Sequence, residues 1–124
     1  MLRLARARVP GRLVQARLEA LPLRTGAVDA VWSLHALLHV DDLPAALAEA
    51  VRVLRPGGSA ALTFAVGRGT TREPVCFSPG ATRTFVHRPV EELDRLLSAA
   101  GLGVLDAGLD ASGRGTRWVL ARRG

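Results

Sequence analysis

Apolar residues recur along this chain with two different periods, and the switch between them separates strands from a helix. Residues 27–33 (AVDAVWS) and 59–66 (SAALTFAV) are runs of β-branched and small apolar residues, which is typical of strands buried in a parallel sheet. Between them, apolar residues in 43–54 recur every three or four positions and form one face of a helix. This order predicts a strand–helix–strand unit with 27–33 as the central strand.

The boundaries of this helix carry recognisable signals. Asp41 and Asp42 precede it as N-cap candidates, and Pro44 is tolerated in a first turn. Residues 55–58 (RPGG) are expected to end the helix and reverse the chain. The crossover between the two strands should be right-handed.

The flanking parts of the chain complete an alternating α/β pattern. A short helix is predicted over 1–9, ended by Pro10 and Gly11, and a strand over 13–18. After the second strand, 67–87 is rich in Gly, Thr, Pro and Arg without a clear period, which predicts a long loop that serves a site or is mobile. Its first residues, 67–71, are expected to form a flexible substrate-side loop.

The last third of the sequence predicts one helix and two strands. Pro89 opens an amphipathic helix that stops at Gly101. Strands are expected over 103–109 and 116–121, and their connection is short enough only for an antiparallel pair.

The net charge of +6 comes mainly from the N-terminal end. All 17 basic residues are arginine, and five of them precede the first acid, Glu19, which leaves 12 arginines against 11 acids in the rest of the chain. The body of the protein is nearly neutral, so a nucleic-acid partner is not expected. An alternative, an Arg-led nucleic-acid-binding or organelle-targeted module, depends on the first 17 residues alone.

Length and cysteine content limit the number of domains and the cellular compartment that we expect. With 124 residues the chain is the size of one domain. The longest uncharged apolar stretch, 30–40, is shorter than the roughly 20 residues that span a bilayer, so no membrane segment is predicted. The single cysteine, Cys76, excludes an internal disulfide and fits a reducing compartment, which favours a cytoplasmic location.

Two stretches carry a family resemblance: residues 28–40 read VDAVWSLHALLHV and residues 46–58 read ALAEAVRVLRPGG. In class I S-adenosylmethionine-dependent methyltransferases of small molecules, the corresponding motifs often read FDxVxxxxxLxHV and ALxExxRVLxPGG. The chain resembles this family in both, with Val28 in place of the aromatic residue. The resemblance implies an α/β fold, the C-terminal portion of a Rossmann-like sheet with mostly parallel strands that end in an antiparallel pair.

The same resemblance implies a partial, N-terminally truncated domain over 1–124 that lacks the family's first strand, glycine-rich loop and second strand. Where members usually read VQGDAExLP, this chain reads VQARLEALP and puts Arg17 at the position that faces the adenine. In the family strand order, 13–18 would be separated from 27–33 by two absent strands, a gap of about 14 Å. Residues 13–18 are therefore expected to pair directly beside 27–33 or to be poorly held.

The resemblance also implies S-adenosylmethionine as the cofactor and methyl transfer to a small molecule, with this isolated chain inactive. It places the backbone amide of Leu18, together with Ser33 and Leu34, at the cofactor. The alternative is a non-catalytic remnant that binds a protein partner or itself through an exposed sheet edge. The sequence leaves the methyl acceptor and the oligomeric state open.

Three histidines are candidates for a catalytic base, because imidazole titrates near neutral pH: His35, His39 and His87. His35 and His39 are four residues apart and would share a helical face, which is also a metal-ligand spacing. No third ligand is evident, so no metal is expected, and hydrogen bonding around the cap formed by Asp41 and Asp42 is the favoured role.

Overall fold

A six-stranded mixed sheet organises the part of the chain that the computed structural model describes, residues 2–8, 11–110 and 115–124. The elements, in chain order, are α1 (Leu2–Arg8), β1 (Val28–Ser33), a 3-10 turn (Leu37–His39), α2 (Leu43–Val53), β2 (Leu54–Val66), β3 (Gly69–Pro74), β4 (Thr82–Arg88), α3 (Val90–Ala99), β5 (Leu102–Leu109) and β6 (Thr116–Arg123). The mixed α/β class and the strand–helix–strand unit are confirmed.

The long strand β2 is the centre of the sheet. It pairs in parallel with β1, from Ala30 opposite Ser59 to Ser33 opposite Leu62, and antiparallel with β6 along its other edge. Strand β6 pairs antiparallel with β5, as the sequence predicts. The hairpin of β3 and β4 joins β2 beyond the end of β1, through Ala65 opposite His87.

The core lies where α2 and α3 pack against the sheet. Each helix buries the face that its periodicity predicts, and β2 and β6 supply the facing side chains. Full burial of one such side chain contributes roughly 1.5–3 kcal/mol. The most deeply buried large side chains are Leu43, Leu47, Val53, Leu54, Leu62, Phe64, Leu93, Leu97 and Val119.

The helix ends follow the sequence signals. Oδ1 of Asp42 accepts a hydrogen bond from the amide of Ala45 at 3.1 Å, with Pro44 in the first turn of α2. Gly101 follows α3 with φ of +92°, a conformation that favours glycine. The predicted caps of both helices are confirmed.

Helix α2 ends directly before 55–58, as predicted, but these residues already belong to the strand that follows. Helix α2 gives way directly to β2 at Leu54, and these residues form an irregularity in the ladder with β1. Asp29 is opposed by four residues, because Val28 pairs with Leu54 and Ala30 with Ser59. A Cβ on Gly58 would lie 2.8 Å from the carbonyl oxygen of Asp29, so the close approach of the two backbones requires glycine here.

Strand β1 is not the central, doubly buried strand that its composition predicts. Among the described residues it pairs with β2 alone, and Trp32 is 78% exposed. The run 13–18 forms no strand, and within it Arg17 makes an isolated bridge to Ala20. Pairing of 13–18 beside β1 is therefore wrong, and no element of the described residues covers one face and one edge of β1.

An ion pair explains where the chain before β1 goes instead. Arg52 donates to both carboxylate oxygens of Glu49 and to the carbonyl of Leu21 at 3.0 Å, and the amide of Leu21 donates to Glu49 at 2.7 Å. The amide of Gly26 donates to the carbonyl of Arg52 at 2.8 Å. The hydrogen bond from Arg52, followed by that from Leu21, lowers the pKa of Glu49 to about 2. These contacts tie residues 21–26 to α2.

The long loop predicted over 67–87 is instead largely a hairpin. Six residue pairs join β3 to β4, from Gly69 opposite His87 to Pro74 opposite Thr82. All residues of β3 are exposed, so the segment lacks the alternation of apolar and polar residues that marks a half-buried strand. The sequence hid this strand because neither of its faces contributes to the core.

Candidate active site

A cavity of about 880 Å³ opens at the carboxyl end of the parallel strands β1 and β2. It is lined by His35, Leu38, His39, Ala65, Glu73, Arg83, Phe85, His87, Asp110 and Thr116. The end of β5 and the start of β6 reach the same edge, because β6 runs antiparallel to both β2 and β5. The edge is the one at which open α/β sheets bind ligands.

One wall of the cavity is the hairpin of β3 and β4. Side chains two residues apart on a strand share a face, which places Arg83, Phe85 and His87 together on β4. Glu73 pairs with Arg83 across the hairpin. The guanidinium carbon of Arg83 lies 5.0 Å from the centre of the Phe85 ring, a cation–π contact.

His39 is the most constrained of the three histidines. Its Nδ1 lies 2.7 Å from the carbonyl oxygen of Thr84, and its ring meets that of Phe85 edge to face at 4.8 Å. A carbonyl oxygen only accepts hydrogen bonds, so Nδ1 must carry the proton and donate. In neutral His39 the lone pair is therefore on Nε2, for which the described part of the chain supplies no partner.

His35 and His87 line the same cavity in different settings. His35 is exposed, has a φ of +58°, and donates its backbone amide to Oγ1 of Thr63 at 2.8 Å. Nε2 of His87 lies 3.0 Å from Oγ1 of Thr71, and since a hydroxyl both donates and accepts, this contact leaves the tautomer of His87 open.

The expected helical face shared by His35 and His39 does not exist. The 3-10 turn that contains His39 begins only at Leu37, and His35 precedes it with a left-handed backbone. The expected hydrogen bonding of these histidines around the α2 cap is also wrong for His39, whose ring nitrogen contacts Thr84 of β4. The hairpin, absent from the sequence prediction, provides that partner.

The side chain near the N-cap of α2 is that of Arg88, not that of a histidine. It is only 7% exposed, and its guanidinium donates to the carbonyl oxygens of Val40 at 3.0 Å and Asp41 at 2.9 Å. Burial lowers the pKa of Arg88. These two hydrogen bonds hold the C-terminal end of β4 against the turn that carries His39. Sequence reasoning missed Arg88, since an arginine after a polar run indicates a surface residue.

The carboxyl end of β1 offers few groups to the expected cofactor. Ser33 is half-buried, Leu34 is 45% exposed, and both precede the cavity-lining His35, while Leu18 packs at the margin of the core. Of the glycines that precede β1, Gly26 has its amide committed to Arg52. These residues supply one hydroxyl and backbone groups. They include neither a glycine-rich loop that lets the cofactor approach the backbone nor a carboxylate to bind the ribose hydroxyls, so they do not fit the cofactor by themselves.

Two further structural findings concern the described residues only. They contain no group of three or more His, Cys, Asp or Glu side chains arranged to hold a metal ion. None of the helices found in them has the length and apolar character required to cross a bilayer.

Comparison with known proteins identifies relatives of the chain. Residues 1–62, half of the sequence, match a family model described as a methyltransferase domain. The chain is 31% identical over 90 residues to methyltransferase GfsG of Streptomyces halstedii, an alignment that covers 69% of this chain and 32% of the relative.

Solved structures share the fold. A putative S-adenosylmethionine-dependent methyltransferase from Listeria monocytogenes superposes with a TM-score of 0.79 at 13% identity, over 100% of this chain and 76% of that one. A second is 1,6-didemethyltoxoflavin-N1-methyltransferase from Burkholderia thailandensis, solved with 1,6-didemethyltoxoflavin and S-adenosylhomocysteine bound. Its TM-score is 0.71 at 22% identity, over 98% of this chain and 55% of that one. The chain thus spans about a third of the curated relative and about half of the liganded structure.

Proposed function

Since the chain belongs to the methyltransferase-domain family, we propose that its cavity receives the small-molecule acceptor in S-adenosylmethionine-dependent methyl transfer. The position of the cavity carries this proposal, because the carboxyl ends of β1 and β2 form the edge at which sheets of this kind bind their ligands. The mixed lining of apolar, aromatic and titratable side chains suits a small organic molecule.

The cofactor of this family is S-adenosylmethionine, which supplies a methyl group on a sulfonium. Ser33, Leu34 and the backbone amide of Leu18 are the groups of this chain proposed to contact it. Since they form no glycine cradle and no ribose-binding carboxylate, residues 1–124 constitute a partial domain that is inactive alone. Further segments carrying those groups are required for methyl transfer.

The cavity walls suggest distinct roles for the catalytic candidates. We propose His39 as the principal candidate for a base, because its contact with Thr84 leaves Nε2 able to accept. His87 and His35 are proposed to line the acceptor site. Leu38, Ala65 and Phe85 provide its apolar surface.

Fragment mapping by NMR tests the proposed acceptor site. The chain, uniformly labelled with ¹⁵N, is titrated with millimolar phenol, aniline and indole, and amide shifts are mapped onto the structure. Shifts are expected at the cavity residues of the 3-10 turn, the end of β2 and β4. Shifts confined to other surfaces, or none at all, would overturn the proposal.

The open edge of β1 supports a second candidate function, a non-catalytic module that associates with another copy of itself. The edge has no partner among the described residues, and Trp32 and Leu34 are exposed there. Light scattering coupled to size-exclusion chromatography tests this function with Trp32→Thr and, as a matched control on the other edge strand, Leu105→Thr, which replaces a side chain that is 54% exposed. Dimers abolished by the first substitution only would support it, whereas a monomeric wild-type chain would exclude self-association.

A further inference from the structure

We infer that the acceptor presents a hydrogen-bond donor, a hydroxyl or an amine, to Nε2 of His39, and that it is not a carboxylate. This inference rests on the proposed function of the cavity and adds the chemical class of the group that is recognised. It follows from the way the β3–β4 hairpin fixes the protonation of one imidazole ring.

The contact between His39 and Thr84 determines the polarity of the ring. The backbone carbonyl of Thr84, 2.7 Å from Nδ1, has no hydrogen to give, so the proton is on Nδ1. The edge contact with Phe85 restricts rotation of the ring. Nε2 of the neutral ring can then only accept, and it repels the lone pairs of a carboxylate oxygen.

The hairpin itself is held in place by the buried Arg88. Its two hydrogen bonds to the carbonyls of Val40 and Asp41 join the end of β4 to the chain directly after His39. These contacts, close in sequence to both Thr84 and His39, hold the carbonyl of Thr84 near the imidazole. Among the described residues, neither His35 nor His87 has such a contact from its ring to a pure acceptor.

The charges around the cavity also disfavour an anion. Glu73 and Arg83 are opposite residues of the β3–β4 hairpin, and both line the cavity. With one carboxylate opposite one guanidinium, this wall of the cavity offers no net positive charge to a carboxylate ligand. An uncharged hydroxyl or amine meets no such repulsion.

The tautomer of His39 is the first quantity to measure. Long-range ¹H–¹⁵N correlation spectra of the imidazole rings in the wild-type chain distinguish protonated from unprotonated nitrogens, and His39→Gln assigns the signals. The expected result at a pH where the ring is neutral is a proton on Nδ1. A proton on Nε2 would overturn the inference, whatever the fragments do.

Ligand selectivity is the second measurement, with phenol, anisole and benzoate as probes of nearly the same ring. Phenol is expected to bind about three- to tenfold more tightly than anisole, the range that one net hydrogen bond provides. His39→Phe should remove this preference, whereas the control Leu105→Phe, at an exposed residue of β5 outside the cavity lining, should retain it.

The outcomes distinguish failure of this inference from failure of the proposed acceptor site. Binding of all three probes in the cavity with equal affinity, or tighter binding of benzoate, would overturn the inference and leave the cavity as an acceptor site. A phenol preference that persists in His39→Phe would also overturn it. Absence of any probe from the cavity would overturn both.

Discussion

At the scale of single residues, the sequence identifies the chemistry of the cavity but not its geometry. His35, His39 and His87 can be selected from residue type alone, and all three line one cavity. The protonation of His39 could not be predicted, because it depends on the carbonyl of Thr84, which is 45 positions away in the sequence. Arg88 could not be recognised either, because the carbonyls that compensate its burial belong to another element.

Arg88→Met tests the buried clamp. The substitution leaves the carbonyls of Val40 and Asp41 without their donors, so the free energy of unfolding should fall by about 2–4 kcal/mol. Urea denaturation followed by circular dichroism measures the change. The matched control Arg122→Met, at an exposed arginine of β6, should stay within about 0.5 kcal/mol. Equal stability of the two variants would show that the clamp is unimportant.

Glu49→Gln tests the ion pair that ties the chain before β1 to α2. The pKa of Glu49 is about 2 in the folded protein and 4.5 ordinarily, so the folded state favours the charged form. Its stabilising contribution is complete above pH 4.5 and is lost as the pH falls towards 2.

Glu49→Gln should therefore be less stable than the wild type at pH 7, and the difference should shrink between pH 4.5 and pH 2. Guanidinium denaturation at a series of pH values measures this difference. The control Glu91→Gln, at an exposed carboxylate of α3, should reproduce the wild-type dependence. A difference that is constant down to pH 2 would contradict the role of Glu49.

At the scale of elements, prediction succeeded where a segment buries one of its faces in the core. The amphipathic periods of α2 and α3 and the apolar runs of β2 and β6 specify those elements because the core selects the side chains. Strand β3 was missed, since it is exposed on both faces and its pairing with β4 leaves no apolar pattern. The composition of β1 predicts burial that the described residues do not provide.

Gly58→Ala tests the irregular start of β2. The added methyl group would lie 2.6 Å from Cδ1 of Leu54 and 2.8 Å from the carbonyl oxygen of Asp29, so the backbones must move apart. The expected cost is about 1–3 kcal/mol in thermal or urea unfolding. Gly103→Ala is the control, because its nearest contact would be an ordinary 3.8 Å. Equal stability of both variants would refute a close approach at Gly58.

At the scale of the whole molecule, the described part of the fold presents two open features, the cavity and the free edge of β1. The sheet formed by β1, β2, β6 and β5 shares the fold of solved methyltransferases, as the family motifs predicted. The groups that would hold the cofactor are nearly absent around Ser33, and the edge of β1 has no partner among the described residues. We propose that this chain carries the groups that recognise the acceptor and lacks those that would bind the cofactor firmly.

Calorimetric titration of the chain with S-adenosylhomocysteine tests this separation most directly. The groups described near Ser33 provide neither a glycine cradle nor a carboxylate for the ribose, so we predict no binding tighter than about millimolar, or about −4 kcal/mol. A micromolar dissociation constant would contradict the account, since it would require a cofactor site made by this chain alone.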